Sequence, residues 1–468
     1  MNRRITAIDL GTHTISVLVC EEENDGIRVI AYERANSDGI KKGTIYNIQK
    51  TMIVLRMLIN KIQEEKGITI NEAVVNISGR LKRCEKYSFE ITRREANSFI
   101  SAAEINKLNK EAMSYKVNGD EKVLYAIPVS FDIDDHIGKD YNDLEGSIGK
   151  NMTCNYNIMI GRAVQFNNIK KLFESLNINV TDYVLTPIAT SRSILTKDER
   201  ELGVAVIEIG AGTTNVIVIK EDQIKHIAVI PYAGASITED IRIATSTSSM
   251  KSEIMKVKYG TCVEASILEN KTIVVKDTIG GREDKMVSFK DLSHYIEART
   301  TEIIEAALYE IKENKLYNSI NAGIVITGGS SHLKRISELT ESIFKKSVRI
   351  AIPSSKIVLS DSNKDIYSPD AATISGLALC EKDRINRIVD SPLPDNIWIS
   401  KDRRTVGGFT EQQIEFEQDK KDDQNVGNNP GNKTEVKNKK NKKEKDSEPK
   451  SISTKILEFF GVTKDNDA

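Results

Sequence analysis

Two short segments carry the residues best suited to chemistry. Near the start stands ITAIDLGTHTISVLVCE, with Asp9, Gly11, Thr12, His13 and Thr14 in a row. Roughly 200 residues later stands GVAVIEIGAGTTNVIVIKE, with Glu208, Gly210, Ala211, Gly212, Thr213 and Thr214 in the same order, an echo that suggests duplication. Turns of this composition offer backbone N–H groups to phosphate oxygens, and the hydroxyls of Thr12, Thr213 and Thr214 add donors. Asp9 and Glu208 stand where carboxylates can hold a hydrated Mg²⁺, an ion that keeps several of its waters. A third glycine segment, GIVITGGSSHLKRI, places Gly328, Gly329 and Ser330 between a strand-like run and helical spacing at Leu333, Ile336, Leu339 and Ile343. Such a junction lets a nucleoside approach the backbone closely. No GxxxxGK[ST] occurs, so none of the three is a Walker loop.

The elements that must position these residues follow from the pattern around them. Each acidic residue is preceded by alternating β-branched residues and followed, past the turn, by a second such run. Apolar strands alternate with amphipathic helices to about residue 390, which predicts an α/β fold built as two similar halves around a cleft. Glycine at the turns permits close approaches that a side chain would block.

Composition narrows the function. Across 468 residues, 67 Lys and Arg balance 68 Asp and Glu for a net charge of −1, against a dedicated nucleic-acid binder. Aromatics at 6% are too few for base-stacking platforms. The cysteines at 20, 84, 154, 262 and 380 form no CxxC pair, which speaks against zinc and fits a reducing compartment. No leader-like segment opens the chain and no run approaches about 18 apolar residues, so a cytoplasmic body is expected. Residues 391–450 are dominated by Lys, Asn, Asp, Glu and Gln and read as a disordered linker. Within it, residues 433–450 carry eight Lys against four acidic residues. Beyond it, a helix over 451–468 would place Ile452, Ile456, Leu457, Phe459 and Phe460 on one face, with Thr454 and Glu458 opposite. A short amphipathic helix behind a basic tether reads as an interfacial anchor for anionic lipid, or as a helix that docks on protein.

The segments IDLGTHT (8–14), IEIGAGTTN (207–215) and ITGGSSHL (326–333) resemble the actin-like ATPase superfamily. GIKKGTIYNI (39–48), VLYAIPVSFDIDDHIG (123–138) and AVIPYAGASITEDI (228–241) narrow the resemblance to the bacterial FtsA family of cell-division proteins. The resemblance implies subdomain 1A at 1–83 with 163–195 and 363–390, and a family-specific subdomain 1C at 84–162. It implies 2A at 196–235 with 310–362, and 2B at 236–309. It implies bound ATP with Mg²⁺, contacts from Glu253 and Lys256 to the nucleoside, and self-association into filaments. It further implies binding of the FtsZ C-terminal tail through 2B, with Arg299 as a contact, and other division proteins through 1C. The place implied is the cytoplasmic side of the inner membrane at the division site, held peripherally by the C-terminal helix.

Several residues depart from the family pattern. Thr14 stands where many relatives have a phosphate-reaching Lys, Glu208 replaces the usual Asp, and Ala211 replaces a second glycine. Thr186 stands where a carboxylate or amide often orients the attacking water. The expectation is ATP binding with slow or negligible hydrolysis. The alternatives are a sugar-kinase-like phosphotransferase or a pilus-assembly adaptor of the same superfamily.

Overall fold

Asp9 and Glu208 each stand one residue from the end of a strand, and the two strands are centres of two sheets with the same plan. In the computed structural model, residues 3–23, 26–79, 81–139, 143–276, 284–354, 356–359, 364–388 and 398–406 are described. The expected anchor helix and most of the expected linker lie outside them.

The first half runs β1 (Arg4–Leu10), β2 (Thr14–Glu22), β3 (Ile27–Asn36), β4 (Ile40–Lys41), β5 (Thr44–Ile45), α1 (Ile48–Lys66) and β6 (Glu72–Ile77). A separate block follows: β7 (Arg83–Arg93), α2 (Ala102–Met113), β8 (Glu121–Ile133), β9 (His136–Lys139) and β10 (Asn151–Arg162). The chain then returns through α3 (Ala163–Leu176), β11 (Asn179–Leu185), α4 (Thr186–Ile194) and α5 (Lys197–Leu202). The second half contains β12 (Val204–Ile209), β13 (Thr214–Lys220), β14 (Gln223–Ile230), α6 (Gly234–Thr245) and α7 (Ser249–Tyr259). It continues with β15 (Thr272–Val275), β16 (Lys285–Ser288), α8 (Phe289–Glu313), β17 (Ile324–Thr327), α9 (Ile336–Phe344) and β18 (Val348–Ile350). The last described elements are β19 (Ile357–Leu359), α10 (Ala372–Ile388) and β20 (Trp398–Val406).

The first sheet is ordered β11-β6-β1-β2-β3-β19 and the second β18-β17-β12-β13-β14. In both, an antiparallel meander of three strands is extended on one side by two parallel strands. The expected duplication is therefore present in five strands of each sheet, and the first sheet adds β19 beside β3. The central strands of the first sheet are covered on both faces, so β2 and β6 bury nearly all their residues. Ile8 and Leu10 of β1 join Leu55, Leu58 and Phe173 from α1 and α3, while Ile5 and Ala7 meet Ala189, Ile374 and Leu377 from α4 and α10. Helix α1 begins at Asn47, whose side chain accepts from Lys50 N, and ends at Gly67 in the left-handed region at φ +66°. Helices α4 and α10 approach so closely that a β-carbon on Gly376 would fall 1.7 Å from the Ala189 carbonyl oxygen.

The block at 83–162 builds its own sheet, β20-β7-β10-β8-β9, over a core that includes Tyr87, Phe89, Phe131 and Tyr156. Its buried Arg93 donates to Glu104 Oε1 at 2.9 Å and to the Gly149 carbonyl at 2.8 Å. Within the stretch 391–450 expected to be a linker, the described residues include β20, which pairs antiparallel with β7 at the edge of the sheet. All five cysteines are free, and no described helix is long and apolar enough to cross a membrane.

Candidate functional site

The turn between β1 and β2 and the turn between β12 and β13 close in the same way. Gly11 N donates to Thr14 O at 3.0 Å, and Gly210 N donates to Thr213 O at 3.1 Å. The two turns meet across a cleft: a β-carbon on Gly212 would fall 2.4 Å from Thr12 Oγ1. The cleft has a volume of about 920 Å³, within the ordinary range for a small-molecule site. Asp9, Gly11, Thr12 and His13 line it from the first half; Glu208, Gly210, Ala211, Gly212 and Thr213 line it from the second. Glu253, Lys256, Gly328, Gly329 and Ser330 line it as well.

One expected residue is absent from this set. Thr214 is fully buried and donates to the Tyr232 carbonyl at 2.7 Å. It opens β13, and strand alternation sends it and the cleft-lining Asn215 to opposite faces.

The carboxylates form the floor. Asp9 Oδ1 accepts from Asn76 Nδ2 at 2.7 Å, and Asn76 Oδ1 accepts from Leu10 N at 2.8 Å. Glu208 Oε2 accepts from Thr190 Oγ1 at 2.9 Å and Asn215 Nδ2 at 3.1 Å, and Oε1 accepts from Thr373 Oγ1 at 2.8 Å. The two threonine hydroxyls lie 3.0 Å apart. Burial pushes the Glu208 carboxyl up, against the opposing pull of Thr373, Thr190 and Asn215. Burial, reinforced by the nearby Glu208, pushes Asp9 from its usual 3.8 to about 7.

Among the described residues, neither carboxylate has an ion-pair partner. Two buried acids without a cation suit a hard divalent ion that also takes phosphate oxygens and water. No cluster of three His, Cys, Asp or Glu is found among the described residues, so a cage made wholly of protein is not the arrangement. Thr186 donates to the Ile77 carbonyl at 3.1 Å, which turns its only hydrogen away from the cleft.

Glu253 and Lys256 share one face of α7 and form an ion pair at 2.8 Å. Lys256 Nζ also donates to the Gly234 carbonyl at 3.0 Å and Thr238 Oγ1 at 2.8 Å. Burial lowers the Lys256 ammonium, countered by Glu253. Sequence reasoning missed the apolar lining beside them, Met250, Ile254 and Val257, spaced along the same helix.

Ser330 Oγ donates to Gly210 O at 2.8 Å, which ties the third glycine segment to the second turn. Gly328 sits at φ +87° with Ile209 O 2.7 Å from where its β-carbon would be, so glycine is required there twice over. Between Gly329 and His332 the chain makes a short 3₁₀ turn, and α9 begins only at Ile336. Its buried end is Phe344, with Ile343 half-buried.

Arg299 of α8 is bidentate on Asp240 of α6, at 2.5 and 3.1 Å, and reaches Glu302 at 2.7 Å. It is committed to neighbours within its own lobe.

The comparisons agree with this geometry. A family model described as "Cell division protein FtsA" matches residues 205–376, from β12 to the start of α10. The chain is 30% identical over 368 residues to the cell division protein FtsA of Pseudomonas aeruginosa, covering 78% of this chain and 87% of that one. The chain belongs to the FtsA family of cell-division proteins. It is also similar to the FtsA of Escherichia coli, 27% identical over 416 residues with 85% of this chain and 98% of that one covered. The fold is actin-like. It resembles a PilM-PilN type IV pilus biogenesis complex, with TM-score 0.56, 13% identity and coverage of 81% and 99%. It resembles MreB5 of Spiroplasma citri bound to ADP, with TM-score 0.51, 14% identity and coverage of 83% and 99%. In this FtsA-family chain Glu208 of the second turn reaches the hydroxyls of Thr190 in α4 and Thr373 in α10.

Proposed function

We propose that this member of the FtsA family binds ATP with Mg²⁺ in the cleft, hydrolyses it slowly or not at all, and assembles into filaments. Those filaments tether FtsZ to the cytoplasmic face of the inner membrane at the division site. One observation carries the nucleotide part: two equivalent turns face each other over a pair of buried carboxylates that, among the described residues, have no ion-pair partner. Opposed N–H-rich turns suit a chain of phosphates, and Asp9 supplies an oxygen toward the metal. The MreB5 structures described as bound to ADP and to AMPPNP have this fold, which favours an adenine nucleotide here. Met250, Ile254 and Val257 suit the base, and Glu253 the ribose hydroxyls. The metal, when bound, neutralises charge on the phosphates. The protein supplies donors, closure and the exclusion of water.

Slow turnover fits Thr186, whose hydrogen is already given to Ile77. The phosphotransferase alternative needs an activating group at that place. Membrane attachment rests on the sequence of residues 433–468. Five apolar side chains contribute at most ~1.5–3 kcal/mol each if fully buried, and interfacial insertion is partial, so one tail holds weakly. A filament presents many tails, and their avidity makes attachment firm. Residues 236–309 are the proposed site for the FtsZ tail, with Arg299 as a contact. Residues 84–162 are the proposed site for other division proteins.

The test is co-sedimentation of the full chain with anionic vesicles and FtsZ, with and without ATP. FtsZ should pellet only with the protein present and more strongly with ATP. Deleting 451–468 should leave both proteins in the supernatant; undiminished pelleting of the truncated chain contradicts the anchor.

A further inference from the structure

The two carboxylates on the cleft floor occupy equivalent places on equivalent strands, yet their partners come from different places. Asp9 draws its side-chain donor from β6, its own parallel neighbour in the first sheet. Glu208 draws one donor, Asn215, from its antiparallel neighbour β13. Its other two, Thr190 and Thr373, come from α4 and α10. Those helices pack on the first sheet through Ala189, Ile374 and Leu377 and are locked together at Gly376. Glu208 therefore joins the centre of the second sheet to the helix pair of the first. Three of the roughly four lone-pair sites on its carboxyl are used in doing so. An aspartate, shorter by one methylene, could not span the same gap from the same backbone.

We propose that Glu208 is a positioning residue, a tie between the halves that fixes how far the cleft closes, and that Asp9 is the carboxylate that serves the cation. The inference rests on the proposed nucleotide reading only for the role of Asp9; the tie itself exists without ligand. In this chain these side-chain hydrogen bonds, which do not depend on nucleotide, add to the apolar packing of Ile194 and Ala372 against Val204 and Val206.

The two roles predict opposite orders for conservative variants, which makes the test direct. The full chain would be compared with Glu208→Gln, Glu208→Asp, Asp9→Asn and the double variant Thr190→Val/Thr373→Val. Two readouts are taken. The first is amide hydrogen exchange of nucleotide-free protein over 204–209 and 372–380. The second is the Mn²⁺ dependence of ATP binding, read by the Mn²⁺ resonance signal.

As a tie, Glu208→Gln keeps length and hydrogen-bonding capacity, so exchange stays within about twofold of the parent and Mn²⁺ dependence persists. Glu208→Asp and the double valine variant raise exchange at both segments tenfold or more. Asp9→Asn weakens Mn²⁺ binding tenfold or more with exchange little changed. If Glu208 is instead a metal ligand, Glu208→Asp keeps Mn²⁺ and Glu208→Gln loses it; that order overturns the proposal. Unchanged exchange in the valine variant overturns it too, even if a Glu208 variant fails to fold. Failure of the parent chain to bind ATP would sink the nucleotide reading and leave the exchange result standing.

Discussion

The turns at 8–14 and 207–215 share strand register, closure and a penultimate carboxylate, but their glycines and acids are under different constraints. A β-carbon on Gly11 would fall 2.6 Å from the Thr14 carbonyl oxygen, whereas on Gly210 it would meet Thr213 O at 3.2 Å. Asp9 has one side-chain donor, and Glu208 has three. The backbone device is the same in both turns, and the proposed roles divide the side chains: Asp9 toward a cation, Glu208 as a tie between the halves.

The largest effect should come from filling the gap between the turns. Gly212→Val would drive a side chain into Thr12 and the backbone at Lys42, and ATP affinity should fall more than 100-fold in calorimetry, because the halves can no longer meet. Next comes the contrast between equivalent glycines. Gly11→Ala should cost about 2 kcal/mol in denaturant unfolding and Gly210→Ala less than about 1, since overpacking scales with the clash. Equal costs would erase the asymmetry just described.

The acids give a pH test. Asp9 holds its proton in the folded chain up to about 7 but releases it near 3.8 when unfolded. Its contribution to stability is thus complete below the lower value and is lost as pH rises through the upper one. Without metal, Asp9→Asn should match the parent's melting temperature near pH 4 and exceed it at pH 8. Mg²⁺–ATP binding requires the ionised form, so affinity should rise from pH 6 to pH 8 in the parent and stay flat in Asp9→Asn. The smallest effect is Thr214→Val, which leaves the Tyr232 carbonyl without its donor; it should cost about 1 kcal/mol of stability and leave ATP affinity alone.

Much of this architecture was legible because the signals were local. Strand, acid, glycine and hydroxyl recur in order, and the recurrence alone implied two similar sheets around a cleft. Asp9, Thr12 and Gly212 could be assigned from type and spacing. The hydrogen-bond network was not legible. Asn76, Thr190 and Thr373 are single polar residues in unrelated segments, and only the packing of α4 on α10 brings the two threonines to one carboxylate. Thr214 was misplaced because a run of two threonines at a turn does not reveal where strand alternation begins. α9 begins only at Ile336, and its buried face runs through Ile336, Leu339 and Thr340 to Phe344, leaving Ile343 at the edge of that face. β20 was hidden because its composition is polar and its partner is a sheet edge more than 300 residues earlier.

The claim on which all of this rests is that the two turns clasp one nucleotide together. Titrating ATP into the purified full chain by calorimetry, with and without Mg²⁺, tests it most directly. The account predicts one ATP per chain, binding that weakens at least tenfold without Mg²⁺, and loss of binding in Gly212→Val. An absence of binding in the parent chain, or binding unaffected by both Mg²⁺ and the Gly212 substitution, would contradict it.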